Sequence, residues 1–325
     1  MNARVVAGID EAGLGPLLGP LTFGLSVFAI ESGDANLWDA LPGAVTREPR
    51  QDRERLVVAD SKKVYTRNAR GRARLESTVL AFLAQRPEGA PRTAREWMLA
   101  GPAGLVPNEA DFDRHPWYAE LPPGLPQWAD EGLLRLHAGR LERALASVGT
   151  RVLHASARVV PAGELNRSYA RTQNKGKTVW EVLAGLLRHV WDAHGETHPL
   201  VLVDRQGGRA HYATPLLQSF PEAEFECLEE TDGRSAYRLW TRDRSLEIVF
   251  EERAEDRALP VALASCLAKY ARETAMGAFN RWFEALQPGL APTAGYTTDG
   301  RRWLEEAAPA LERAALPREL LIRTR

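Results

Sequence analysis

The sequence predicts an α/β protein built on one central sheet flanked by helices. Short apolar runs of strand character alternate with segments of helical periodicity. The runs at 5–9 and 200–203 each end in an aspartate, Asp10 and Asp204. In open α/β sheets, ligand sites collect at the carboxyl ends of strands.

The elements follow in chain order. Residues 5–9 read as a short buried strand and 21–30 as a second. An apolar run at 56–59 precedes Ser61, Lys62 and Lys63, and a helix is expected over 68–84. Residues 86–127 are rich in Pro and Gly with Trp97, Trp117 and Tyr118 interspersed, and read as an insertion rather than core. A helix at 131–146 leads to a strand at 151–159. Val179, Val182, Leu183, Leu186, Leu187, Val190 and Trp191 give the clearest helix, at i, i+3, i+4, i+7 spacing. The continuous run 200–203 beside it predicts a strand buried on both faces. Runs within 225–250 predict an extra β-hairpin, 260–286 a long helix, and the remainder short-looped helices. The whole chain, 1–325, is expected to be one domain and a monomer.

Composition narrows the function classes. The chain has 325 residues, a formal net charge of −1 and 44% hydrophobic residues, enough for a substantial core. No stretch is long and apolar enough to span a membrane, and the first residues lack the apolar region of a signal peptide. Cys227 and Cys266 fit no zinc spacing, so a reducing, cytoplasmic setting is expected. Arginines cluster at Arg47, Arg50, Arg53 and Arg55 and again at Arg67, Arg70, Arg72 and Arg74, where a solvated face is the plain explanation.

The stretch "GIDEAGLGPLLGP", residues 8–20, raises the chemical question. Asp10 and Glu11 repel each other, and burying either without a partner is costly. A glycine-rich turn after them allows close backbone approach to a ligand, often a phosphate. Carboxylates beside a phosphate make sense when cations lie between them. The residues argue against a dinucleotide fingerprint: the spacing is GxGxxxG, the acids would repel a pyrophosphate, and the next segment reads as strand. On the long helix Ser265, Lys269 and Glu273 share a face, and Ala262, Ala264, Ser265 and Ala268 permit close approach to the sheet. Glu273 is therefore a candidate further acid; the alternative is a surface Lys269–Glu273 pair.

The ordered set of segments resembles the type 2 ribonucleases H, the HII and HIII enzymes. The opening stretch resembles their strand, Asp-Glu pair, Gly-x-Gly and Gly-Pro. "ADSKKV" at 59–64 looks like the Asp-Ser-Lys-Lys segment. "PAGELNRSYARTQNK" is similar to the HIII branch, with Asn166, Tyr169 and Asn174 at its Asn, Tyr and Asn. "VLVD" ends in the third acid, Asp204; "ALASCLAKYARE" resembles the helix carrying the fourth, at Glu273; "GYTT" at 295–298 looks like Gly-Tyr-Gly-Thr. Leu14 stands where the family usually has Arg or Thr, Glu273 where it has Asp, and Thr297 where it has the second Gly. Residues 86–127 and 225–250 have no clear counterpart.

The resemblance implies a ribonuclease H-like fold and hydrolysis of the RNA strand of an RNA–DNA hybrid, leaving a 3′-hydroxyl. It implies two divalent ions, Mg²⁺ or Mn²⁺, held by Asp10, Glu11, Asp204 and Glu273, with Asp10 bridging both. Gly13, Leu14 and Gly15 are expected at the sugar edge, where the 2′-hydroxyl distinguishes RNA. Ser61, Lys62 and Lys63 are expected near phosphate, as is Asn174, which with Lys175 and Lys177 precedes a helix. Tyr296 is expected on a sugar. Two other readings remain: a weak or inactive relative that binds hybrids or structured nucleic acid, and a nuclease of the same fold acting on DNA.

Overall fold

The computed structural model describes residues 3–31, 36–101, 105–205, 209 and 211–324. Seven strands form one mixed sheet: β1 (Arg4–Ala12), β2 (Leu21–Ile30), β3 (Thr150–Val160), β4 (Leu200–Asp204), β5 (Glu224–Glu230), β6 (Arg234–Trp240) and β7 (Ser245–Glu251). Their order is β3-β2-β1-β4-β7-β6-β5. β4 is parallel to both β1 and β7, and the remaining pairs are antiparallel. The expectation of an α/β protein on one central sheet holds, and the sheet is mixed.

The period-2 alternation of strand side chains divides the core between the two faces. Val5, Ala7 and Ile9 of β1 pack on one side with Val179, Leu183 and Leu187 of helix α5 (Lys175–His194). Val6 packs on the other with helix α2 (Ala69–Leu83) and the long helix α6 (Leu259–Leu286). The chain also forms helices α1 (Ser61–Val64), α3 (Glu131–Ser147), α4 (Ala162–Thr172) and α7 (Thr297–Glu306). No helix among the described residues is long and apolar enough to cross a membrane.

Helix α6 lies directly on β1 and β2, and glycine makes this possible. A Cβ on Gly8 would fall 2.1 Å from the Pro260 carbonyl carbon, and one on Gly24 would fall 1.9 Å from the Ala264 oxygen. Ser26 Oγ donates to Pro260 O at 2.7 Å and Thr22 Oγ1 to Ala268 O at 2.8 Å, pinning the helix at both ends of the contact. This contact brings Ser265 to the end of β1.

Two expectations need correction. Residues 86–127 are not peripheral: Trp97, Met98, Phe112, Trp117 and Tyr118 are all buried. The Trp117 ring lies 5.2 Å from that of Phe279, and Trp97 lies 5.3 Å from Tyr270. Pro and Gly mark irregular backbone there, while the large aromatics supply buried area. The far end is fixed by Glu76, fully buried, which accepts from Gln127 N at 2.7 Å, Trp128 N, Ala129 N at 2.6 Å and the Tyr270 hydroxyl at 2.7 Å. Within 225–250, β5 and β6 form an antiparallel hairpin, and β7 continues the meander and joins it to β4 of the main sheet. Finally, β4 buries Val201 and Val203 but leaves Leu200 and Leu202 half-buried, because α6 covers β1 and β2 rather than β4.

Candidate active site

β1 and β4 run parallel with Ile9 opposite Val203, so Asp10 and Asp204 emerge side by side at their carboxyl ends. Asp10 is buried at 7% exposure; it accepts from Glu11 N–H at 2.7 Å and is hydrogen-bonded to the Ser265 side chain. Burial, and then the Glu11 charge, push the Asp10 carboxyl well above its ordinary range. Glu11 is raised to about 7 by burial and then by Asp204. Asp204 is raised to about 8 by burial, then by Asp10 and Glu255.

Glu255 is the acid that sequence reasoning missed. It acts on Asp10, Glu11 and Asp204 and is hydrogen-bonded to Asp204. The topology explains its place. β7 is parallel to β4, so the loop leaving β7 emerges beside Asp204, and Ala254 N–H donates to Asp204 Oδ1 at 3.1 Å. In the sequence, Glu255 sits in a charged run, "EERAEDR", with no apolar strand pointing to it.

The structure does not bring Glu273 to this cluster. Ser265, which touches Asp10, and Glu273 are eight residues apart on α6. At 1.5 Å per residue that is about 12 Å along the axis. Glu273 accepts instead from Tyr65 Oη at 2.6 Å and from Lys269 Nζ at 2.6 Å. Although burial opposes it, Lys269 and Tyr65 hold its carboxyl below the usual range. Lys269 also lies 4.6 Å from the centre of the Tyr65 ring.

The other expected residues lie as follows. Ser61 is buried and takes part in a hydroxyl chain, Ser265 Oγ donating to Ser61 Oγ at 3.1 Å. Lys62 is exposed and close enough to Glu11 to favour its charged form. Lys63 is paired with Asp256 at 2.7 Å. Gly13 has φ +84°, and a Cβ there would lie 2.7 Å from Arg272 Nη1. Gly15 is exposed, with open space where a Cβ would stand. Leu14 is half-buried and packs on the α5 side of the core. Asn174 caps α5, accepting from Lys177 N at 3.0 Å. Tyr296 is 48% exposed beside the turn, because the preceding Gly295 oxygen accepts from Leu17 N at 2.7 Å and Leu18 N at 3.1 Å. Asn166 anchors the chain's C-terminal segment, donating to Glu319 O and Ile322 O at 2.7 Å each.

Two buried arginines hold the glycine turn from below. Arg272 donates to the carbonyls of Pro20 and Leu18 and, at 3.0 Å, of Ala294. Arg323 donates to Gly19 O at 2.7 Å and Gly13 O at 2.5 Å. The turn is thus fixed by its carbonyl groups, next to the acids.

The acid set suits a divalent ion in its chemistry. Its donors are all carboxylate oxygens, as Mg²⁺ and Mn²⁺ prefer. Glu11 Oε2 and Glu255 Oε2 are buried without any hydrogen-bond partner. Among the described residues no three Asp, Glu, His or Cys side chains stand close enough to cage an ion as they are. The fit is one of donor chemistry and electrostatics.

No family model matches the chain, and no curated protein matches it. Similar solved structures include RNase HII from Archaeoglobus fulgidus in a PCNA complex, at TM-score 0.41 and 14% identity, covering 99% of this chain and 94% of that one. Ribonuclease H2 from Pyrococcus horikoshii OT3 gives TM-score 0.42 and 14% identity over 98% of this chain and 92% of that one. Bst-RNase HIII in complex with Mn²⁺ gives 0.38 and 12% over 96% and 71%.

Proposed function

We propose that this chain is a divalent-metal-dependent endonuclease that hydrolyses the RNA strand of RNA–DNA hybrids. The observation that carries the reading is the set Asp10, Glu11, Asp204 and Glu255 at adjoining strand ends, the carboxyls of the first three raised by burial and then by their acidic neighbours, beside a braced glycine turn. Four carboxylates repel strongly in a site of low dielectric, and cations relieve that repulsion. The hybrid as substrate is supported by the order of the motifs around these acids.

In this reading the four acids hold Mg²⁺ or Mn²⁺. When bound, such ions activate a water and stabilise the leaving oxygen of a phosphodiester. The chain's own residues do the positioning. Ser265 and the Glu11 amide orient Asp10, and Ala254 N–H orients Asp204. Lys62 partly offsets the charge on Glu11. The turn at Gly13 and Gly15 offers backbone to a 2′-hydroxyl, and the exposed ring of Tyr296 offers a face to a sugar.

The test is a cleavage panel with Mg²⁺ and with Mn²⁺ on a hybrid, an RNA duplex and a DNA duplex. The expected result is cleavage of the hybrid alone, leaving 3′-hydroxyl ends. Binding of the hybrid without cleavage in either metal would instead make this a binding protein. Cleavage of the DNA duplex would move the substrate class.

A further inference from the structure

We propose that the recess enclosed by Tyr65, Arg72, Trp128 and helix α6 takes one unpaired base of a nucleic-acid strand, and that Gln127 favours adenine there. The recess is separate from the four acids and has a volume of about 250 Å³. Its outer wall belongs to the part of the chain with no clear counterpart in the family it resembles: Gln127 ends the segment 86–127, and Trp128 follows it. Buried Glu76 fixes that wall by accepting from the backbone N–H groups of Gln127 and Trp128. The Trp128 ring stands perpendicular to that of Tyr270, with ring centres 5.8 Å apart. The Arg72 guanidinium lies 6.0 Å from the centre of the Trp128 ring.

Stacked planes in direct contact stand about 3.5–4.0 Å apart. At 6.0 Å, the space between Arg72 and Trp128 is short by about 1 Å of what a base between the two planes requires. Arg72 is exposed, its side chain hydrogen-bonded to that of Tyr65, so a shift of that size is open to it. Stacking between an indole and a guanidinium tolerates any base. The polar groups of the recess add a choice. Asn280 is spent on Thr293 in both directions, Glu273 on Tyr65 and Lys269, and Asp299 on Thr293, Ala294 and Arg302. Gln127 Oε1 is buried with no hydrogen-bond partner among the described residues. An unpaired buried acceptor is costly, and a base amino group relieves that cost. Glutamine matches adenine, accepting from its N6–H and donating to its N7, whereas the same edge of thymine offers an oxygen and a methyl group.

That the base arrives on a strand rests on the nuclease reading. Arg70 and Arg74 pair with Asp52, whereas among the described residues no acid pairs with Arg67 or Arg72, which line the recess and are left for a backbone. Tyr65 follows α1, whose Ser61 reaches Ser265 at the acids, and Glu273 lines the recess about 12 Å further along α6. At about 3.4 Å of rise per nucleotide, that is roughly three to four steps along a duplex. A base at this remove enters the recess only where pairing has ended, because unpaired bases alone are splayed out to stack on side chains. The recess therefore suits a hybrid that continues as a single strand.

The test uses hybrids of one length, blunt or extended by a short oligo-adenine or oligo-thymine tail at either end, titrated by anisotropy without divalent ions. The quantity compared is the ratio of tailed to blunt affinity, in which a general effect of charge cancels. An adenine tail is expected to raise affinity about 10-fold, and a thymine tail less. Arg72→Glu, at an exposed position, and Trp128→Leu, checked by its melting temperature, should each remove the gain. Gln127→Leu should make the two tails equal; equal gains in wild type would overturn the role of Gln127. Adenosine monophosphate, titrated by calorimetry, separates the sources: its binding with no gain from any tail makes this a mononucleotide site and overturns the strand form. The proposal as a whole is overturned if no tail adds affinity and adenosine monophosphate does not bind, or if the gain survives in a folded Trp128→Leu. Oligo-adenine alone separates the recess from the nuclease: if it binds through Trp128 while wild type cleaves no hybrid with Mg²⁺, the recess stands and the nuclease reading falls.

Discussion

Glu255 is hydrogen-bonded to Asp204, carboxyl to carboxyl, and with burial and the Asp10 charge this contact raises the Asp204 carboxyl to about 8. Glu273, by contrast, is held ionised by Lys269 and Tyr65 two helical turns beyond Ser265. The two glutamates should separate cleanly in mutagenesis. Glu255→Gln is expected to lower kcat about 100-fold or more, since about 2.7 kcal/mol of barrier corresponds to that factor. Glu273→Gln should change kcat by only a few fold. It should instead destabilise by about 1–3 kcal/mol, because Lys269 loses a charged partner. Steady-state cleavage and urea unfolding of both variants check this; a dead Glu273→Gln with full stability would return Glu273 to the catalytic set.

Stability should fall as pH rises from 7 to 8. Below about pH 4 the native and unfolded chains hold these carboxyl protons alike. Between that point and about 8 the native chain keeps protons on Asp204, and up to about 7 on Glu11, that the unfolded chain has lost. At these groups the unfolded state then binds fewer protons, so on their account each step up in pH weakens the fold. The melting temperature without divalent ions is expected to decline from pH 7 to 8, above the range where histidines held low by burial, such as His154 and His189, act in the opposite direction, and Mn²⁺ or Mg²⁺ should recover it most at pH 8, where their ligands must be deprotonated. Asp204→Asn should flatten the profile. A rise in melting temperature over this range in wild type would contradict the raised carboxyl of Asp204.

The strands and the main helices were legible because their apolar periodicities are long and uninterrupted, as in β2 and α5. Asp10, Glu11 and Asp204 were legible because each ends such a run. Glu255 was not, since its position depends on β7 pairing with β4, a contact between residues over 40 apart in sequence. Glu273 drew attention through its spacing from Ser265, but i+8 on a helix shares a face without sharing a site. The burial of 86–127 was hidden because irregular backbone masks aromatic residues that pack on α6.

Glu76 should prove the largest single anchor of that segment. It accepts three backbone N–H groups, from Gln127 to Ala129, and the Tyr270 hydroxyl, all away from solvent. Glu76→Ala strands those donors at about 1–3 kcal/mol for each buried group left unpaired. The expected loss is therefore several kcal/mol, with proteolysis appearing first near residues 126–130. Glu76→Gln keeps acceptor capacity and should lose less. Equal stability of Glu76→Ala and wild type in urea would show that the segment is held by its aromatics alone.

The last prediction links packing to chemistry through Gly24. A methyl group there would stand 1.9 Å from the Ala264 carbonyl oxygen, one residue before Ser265, against backbone that has no rotamer to yield. Either β2 or α6 must move. Overpacking of this kind costs about 1–3 kcal/mol, occasionally more. Because Ser265 is hydrogen-bonded to Asp10 and to Ser61, a shift of α6 also loosens the orientation of the first acid. Gly24→Ala is thus expected to lower the melting temperature and also kcat, by about 10-fold or more, with little change in hybrid affinity. Ser265→Ala removes the hydrogen bond without the steric clash. It should reproduce part of the kcat loss with a smaller stability change. If Gly24→Ala lowers stability while its kcat stays at the wild-type value at a temperature where it is folded, the helix does not position Asp10, and Ser265 has only a packing role.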